Sequence, residues 1–229
     1  MIIEYLPHYN ERETDELYGR SNEMTQCIEE LTKTCIVYPK ILYFGTPVIL
    51  LTTLNEDGSS NITPMSSAWA LGNRIILGLG EGGHGLANLR KYGECVVNVP
   101  SPELWQKVEA LAPFTGANPI PDYKRGVFRY EKDKFAVSGL TAIRSLHILP
   151  SRIDECPLQI EAKVVDIHLT GESTRFGVIE VEVVTVHVHE AIVFDGSHIN
   201  TSAWSPLIYN FRHYFRLSEE LGKTFRAEV

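Results

Sequence analysis

Residues 156–194 contain two long runs, CPLQIEAKVVDIHL and RFGVIEVEVVTVHVHEAIVF, separated by the turn signal TGES with no helical segment between them. Consecutive strands joined by a tight turn pair antiparallel, whereas a doubly wound sheet needs a crossover helix after each strand. This feature confines the chain to an antiparallel β architecture. In the second run, alternation puts Val181, Val183, Thr185, His187 and His189 on one face and Glu180, Glu182, Val184, Val186 and Val188 on the other. The polar face therefore changes sides halfway. A strand that does so is bulged, or passes from solvent into a covered environment as barrel strands do.

The same β texture begins at Pro47. PVILLTTL, the turn signal NEDGSS and NITPM predict an antiparallel hairpin, RIILGLG follows the turn Leu71-Gly72-Asn73, and ECVVNV makes a fourth strand after a short helix, LANLRKYG. Ser101 reads as an N-cap with Pro102 at the first position of a helix over PELWQKVEALA. Residues 113–133, rich in Pro, Gly and charge, read as a surface excursion, and DKFAVSGL as one helical turn closed by Gly139. SPLIYNFRHYFRLSEELG predicts a C-terminal helix from Ser205-Pro206 to Gly222. Leu17, Met24, Ile28 and Leu31 recur at helical spacing in an otherwise polar stretch over 9–33. The expected organisation is an N-terminal helical arm, 1–40, and one mainly β domain, 41–229, with helices at its edges and its strand edges hidden by closure into a barrel.

A chain of 229 residues with 44% hydrophobic content can bury a full core without staples. Its net charge of −8, with Lys and Arg dispersed, argues against a nucleic-acid surface. Cys27, Cys35, Cys95 and Cys156 form no C-x-x-C pair, and no signal peptide is evident, so they read as free thiols in a reducing cytoplasm. The longest apolar run, TPVILLTTL, is far shorter than the roughly 20 residues that span a bilayer. The expected protein is soluble, cytoplasmic and free of membrane partners.

The stretch NITPMSSAWALGNRIILGLGEGGHGLANL carries the chemistry. Gly78, Gly80 and Gly83 match G-x-G-x-x-G between a strand and a helix, the spacing of a dinucleotide-binding turn. That motif also needs an acid about 20 residues on, to hold the ribose. Here Pro100 and Ser101 stand in that place, and long consecutive strands follow instead of strand-helix alternation. An ordinary glycine loop remains open, and so does a nest of glycine amides and helix N–H groups around His84, which suits a single phosphate such as FMN carries. Upstream, TPMSSA offers backbone groups to a flat heterocycle, with small Ser66 and Ser67 permitting close approach. Trp69 reads as a core or rim residue rather than a stacking platform.

The chain resembles the flavin reductase-like proteins with an FMN-binding split barrel, which include flavoredoxin and the reductase components of two-component flavoprotein monooxygenases. The resemblance is carried by TPVILLTTLNEDGSSNITPMSSAWALGNRIILGLGEGGHGLANLRKYGECVVNVPS, by DKFAVSGLT with PSRIDECPLQIEAKVVDI, by EVVTVHVHEAI and by PLIYNFRHYFRLSEELGK. It implies a six-stranded antiparallel Greek-key split β-barrel with peripheral helices, a homodimer, FMN (with FAD as the alternative flavin), and NADH or NADPH as hydride donor. A separate monooxygenase component is the implied recipient of reduced flavin. By position, Thr63, Pro64, Met65, Ser66, Ser67 and Ala68 are implied to face the isoalloxazine ring, and Gly82, Gly83, His84, Gly85, Leu86 and Asn88 to form the phosphate loop. Members usually have a basic residue followed by Thr or Ser in that loop; here the pair is His84-Gly85. The missing hydroxyl removes a hydrogen bond worth roughly 1.5–3 kcal/mol to a charged partner. Weaker binding suits a reductase that releases its flavin.

Hydride transfer between nicotinamide and flavin is the cofactors' chemistry, so no catalytic acid or base is assigned. The rival readings are an FMN-binding electron carrier without nicotinamide turnover and a Rossmann-type NAD protein. His187 and His189 read as packed or rim histidines rather than metal ligands, and no metal is assigned. Asp154-Glu155 reads as a solvated loop start. Asn98 is either a buried polar residue that fixes the flavin loop or a cap at the end of its ladder.

Overall fold

The computed structural model describes residues 34–116, 118–120, 122, 125–170, 176–196 and 198–224. The helical arm expected over 9–33 lies outside the described residues. Residues from Tyr43 onward form one compact unit, and residues 34–42 belong to a separate one.

The strands of the main unit are β1 (Phe44–Pro47), β2 (Ile49–Leu54), β3 (Ser60–Met65), β4 (Ala68–Leu71), β5 (Arg74–Gly80), β6 (Glu94–Val99), β7 (Ala142–Ile143), β8 (Arg152–Ile153), β9 (Leu158–Leu169), β10 (Phe176–Val188), β11 (Val193–Phe194), β12 (His198–Ile199), β13 (Ile208–Asn210) and β14 (His213–Phe215). Its α-helices are α1 (His84–Tyr92), α2 (Trp105–Leu111) and α3 (Lys134–Ser138). The main sheet has the order β3-β2-β6-β9-β10-β5-β4, and every pairing in it is antiparallel.

β3 and β4 occupy the two edges of this sheet, yet only Ser66 and Ser67 separate them along the chain. The edges must therefore meet at that corner, where the Gly78 amide donates to the Ser67 carbonyl at 2.8 Å. Counted as one bent strand, β3 and β4 close a six-stranded split barrel. Closure leaves no long open edge for another chain to pair with.

The barrel interior holds Ile49, Leu51, Met65, Leu77, Val97 and Ile179, among others. β5 alternates buried with half-buried residues, as a strand with one covered face should. β2 is buried throughout, because Leu50 on its outer face joins Ile62, Val108, Leu111 and Ile153 in a second core near α2. This explains why PVILLTTL reads as a continuous apolar run.

The last long strand is bulged where its polar face changes sides, and Val184 and Val186 stay exposed beyond that point. Between Val183 and Thr185 the register of β10 against β9 shifts by one residue, which leaves Val184 as an unpaired bulge. A second shift leaves Val165 of β9 unpaired opposite Glu180 and Val181.

Two expectations are corrected. The tail after Ser205 contains no helix among its described residues; Ile208–Asn210 and His213–Phe215 form the hairpin β13–β14, which β1 extends to three strands. YNFRHYF is rich in aromatic residues that favour strands, and Tyr209 and Tyr214 face each other across the hairpin with ring centroids 5.6 Å apart. The segment after α2 is also more than a surface excursion. The Arg129 amide donates to the Pro113 carbonyl at 2.7 Å and the Gly116 amide to the Arg129 carbonyl at 3.2 Å, so the chain folds back on itself and buries Thr115.

Among the described residues, no helix is long and apolar enough to cross a membrane. Cys95 and Cys156 are buried free thiols; burial pushes Cys95 up to about 12 and raises Cys156 as well. Neither is a thiolate nucleophile at neutral pH.

Candidate functional site

β5 ends at Gly80, the chain turns through Gly82 at φ 74°, and α1 starts directly after Gly83. The first amides of a helix have no partner within it, and the helix dipole adds partial positive charge there. No side chain caps this end, and no acidic residue lies in the first turn. A recess opens beside it, lined by Thr63, Gly83, His84, Gly85, Thr115 and Lys134, among others.

Two glycines fix the recess to the β3–β4 corner. A β-carbon at Gly85 would lie 2.7 Å from Thr63 Oγ1, and one at Gly78 would lie 2.9 Å from Ser67 Cβ. Only glycine permits both approaches. The glycines of GLGEGGHG thus serve strand–strand and helix–strand packing, which is why their spacing resembles a dinucleotide turn without its sheet. α1 is held to β2 by Asn88, whose side-chain amide donates to Thr53 Oγ1 at 3.1 Å and to Asn55 Oδ1 at 3.0 Å.

The twelve residues implied by resemblance therefore separate in space. Thr63, Gly83, His84, Gly85 and Leu86 line the recess, and Gly82 supplies its turn. Met65 points into the barrel core, Pro64 pairs with Leu50, and Ala68 packs against the core. Ser66 is buried at the corner, and Ser67 Oγ lies 2.7 Å from the Tyr43 hydroxyl. Asn88 is a tether behind the recess rather than part of its lining.

His84 accepts a hydrogen bond at Nε2 from the Asn118 amide, 3.1 Å away, and its ring centroid is 5.2 Å from that of Tyr130. Burial first, and the Lys134 ammonium second, lower its pKa below the ordinary imidazole value. An imidazole that accepts at Nε2 carries its proton at Nδ1 and is neutral. His84 thus shapes the recess without bringing charge to it at neutral pH.

The cation is Lys134, which the sequence reading passed over. It is 3% exposed, and its Nζ donates to the Ile62 carbonyl at 2.8 Å. The Asp133 carboxylate caps α3 through the Ala136 amide at 3.0 Å, and Gly139 closes it at φ 63°. A lysine placed on a short helical turn among Phe135 and Val137 is the sequence signal for it, and a weak one. Thr115 was missed because its segment looked solvated.

The other singled-out residues have structural partners away from the recess. Glu161, 0% exposed, accepts from the amides of Leu146 at 2.6 Å and His147 at 2.8 Å and lies 2.7 Å from His187 Nε2. His189 Nε2 is 2.9 Å from the Asp154 carbonyl. Glu155 is not merely solvated: it pairs with Lys107 at 3.1 Å and accepts from the Thr141 amide at 2.9 Å. Asn98 ties three strands together, donating to the Leu50 carbonyl and accepting from the Ile153 amide, each at 2.9 Å. Trp69 is 58% exposed on β4, a rim position.

The sequence pattern of the family described as "Flavin reductase like domain" matches residues 41–218. The chain belongs to this flavin reductase-like family. It is 51% identical over 194 residues to the Bacillus subtilis (strain 168) protein described as "Uncharacterized protein YdfE", covering 84% of this chain and 94% of that one. Flavoredoxin of Desulfovibrio vulgaris (Miyazaki F) superposes with a TM-score of 0.69 at 22% identity, over 85% of this chain and 98% of its own. Nitrilotriacetate monooxygenase component B from Bacillus cereus superposes with a TM-score of 0.63 at 20% identity, over 96% and 99% respectively. These flavin reductase-like structures share the split-barrel fold, and membership makes the chain a flavin-related oxidoreductase by family.

Proposed function

We propose that this chain is an NAD(P)H:flavin oxidoreductase that binds FMN with its phosphate in the recess at the start of α1. The observation that carries the reading is the junction of that recess with the β3–β4 corner through the Gly85–Thr63 and Gly78–Ser67 contacts. The residues fit a flavin nucleotide: uncapped helical amides and a buried ammonium suit the phosphate, and small side chains at Ser66, Ser67 and Ala68 allow a flat ring to approach the backbone.

When bound, the flavin supplies the hydride chemistry, with NADH or NADPH as donor. The chain's own residues bind, orient and shield. The α1 amides and Lys134 anchor one end of the ligand, the β3–β4 corner sets its orientation, and the packed barrel excludes water from the covered side. No side chain is required to move a proton.

A homodimer belongs to the same reading, supported by exposed apolar side chains on β4, Trp69 and Leu71. So does delivery of reduced flavin to a separate monooxygenase component, a role suggested by the likeness to a protein named as such a component. A cytoplasmic location agrees with the buried free thiols. The direct test is equilibrium titration of the purified protein with FMN, followed by quenching of flavin fluorescence. Saturable binding is expected, and its absence would remove the reading.

A further inference from the structure

We infer that Lys134 supplies the charge that holds the flavin phosphate, and that it thereby makes the site select flavin nucleotides over riboflavin. This rests on the function proposed above and identifies which residue does the selecting.

Among the described residues lining the recess, the basic side chains are Lys134 and His84. His84 is engaged as an acceptor at Nε2 by the Asn118 amide, an arrangement only the neutral or Nδ1-protonated ring can make. Its ring lies beside that of Tyr130, with centroids 5.2 Å apart. The permanent positive charge is therefore on α3, not on the glycine loop. That charge is well placed and stiff. α3 is capped by Asp133 and closed by Gly139, and Ser138 Oγ donates to the Lys134 carbonyl at 2.7 Å. The bond from Nζ to the Ile62 carbonyl holds the ammonium one residue from Thr63, whose hydroxyl faces the start of α1.

Burying an ammonium is costly, and a dianion in the same recess offsets that cost. Lysine is a point charge with three donors, so one donor can serve Ile62 while the charge still acts on a phosphate. The net charge of −8 repels anions at long range, and a local cation counters that repulsion at the recess. Riboflavin, which has the same ring and no phosphate, would not sense it.

The test is titration of wild type, Lys134→Met and His84→Ala with FMN and with riboflavin, read by flavin fluorescence. Wild type is expected to prefer FMN by about 10- to 150-fold, the range for a hydrogen bond to a charged group. Lys134→Met should reduce that preference to within about threefold, with riboflavin affinity retained, and His84→Ala should leave the preference in place. A full FMN preference in Lys134→Met overturns the inference. If Lys134→Met does not fold, Lys134→Gln decides: it keeps a donor and removes the charge, so a preference within about threefold is expected and a full FMN preference overturns the inference. Equal wild-type affinity for both flavins overturns the inference alone, and binding of neither overturns the functional reading beneath it.

Discussion

Gly85 lies against Thr63 so closely that a β-carbon at position 85 would stand 2.7 Å from the threonine hydroxyl. The contact joins the first turn of α1 to the end of β3, the two segments that frame the proposed site. In Thr63→Ala that hydroxyl is gone, and the remaining neighbour is Thr63 Cβ at 3.4 Å, ordinary packing distance. Gly85→Ser alone should therefore cost about 1–3 kcal/mol of stability through overpacking, and Thr63→Ala/Gly85→Ser should recover most of it. Chemical denaturation of the three variants checks this; a double variant no better than Gly85→Ser alone would mean that α1 is not pressed on Thr63.

The corner between β3 and β4 makes a second case. The Tyr43 hydroxyl and Ser67 Oγ are 2.7 Å apart, and Gly78 allows Ser67 to pack against β5. Tyr43→Phe should cost about 0.5–1.5 kcal/mol. Gly78→Ala should cost more and should also weaken FMN binding, because the corner itself must shift. Equal, small losses in both variants would show that the corner accommodates change freely.

His84 gives a pH dependence with a definite sign. Burial and Lys134 lower its folded pKa, so the folded state prefers the neutral ring. Its contribution to stability is present above the unfolded value of about 6.5 and is lost as the pH falls towards the folded value. Melting temperatures of wild type and His84→Gln should converge on acidification from pH 7.5 to about pH 5. Parallel curves would place no titrating imidazole at this position.

Glu161 carries a separate, structural prediction. Burial pushes its carboxyl up, but the amides of Leu146 and His147 together with His187 outweigh this and leave it below the usual carboxylate range. The stability it confers is present above the unfolded carboxylate value and is lost as pH falls through the lower folded value. Glu161→Ala strands those donors and should cost about 3–5 kcal/mol near neutral pH, with less difference from wild type in acid. Denaturant melts at two pH values measure both effects.

The sequence and the structure agree where the physics is local or strictly periodic. Alternation in RIILGLG, the pairing of the two long runs that flank TGES and the change of polar face near Val184 are backbone-scale signals, and they appear as a strand with one covered face, as the antiparallel pair β9–β10 and as a bulge. The tail was misread because Ser205-Pro206 marks a helix start by local rule alone, while the pairing of Ile208 with Pro47 and of Tyr209 with Thr46 is decided by a partner about 160 residues away. The glycine loop was legible as a phosphate nest, but the role of Gly85 was not, since a contact with Thr63 has no signature along the chain. Lys134 escaped for the same reason: nothing in DKFAVSGL says which face of α3 is turned into the recess.

The central claim is tested most directly by anaerobic mixing of purified protein, FMN and NADH or NADPH while the visible absorbance of oxidised flavin is followed. The account predicts bleaching well above a protein-free control with at least one of the two donors. Bound flavin that stays oxidised with both would contradict it and leave a flavin carrier in its place.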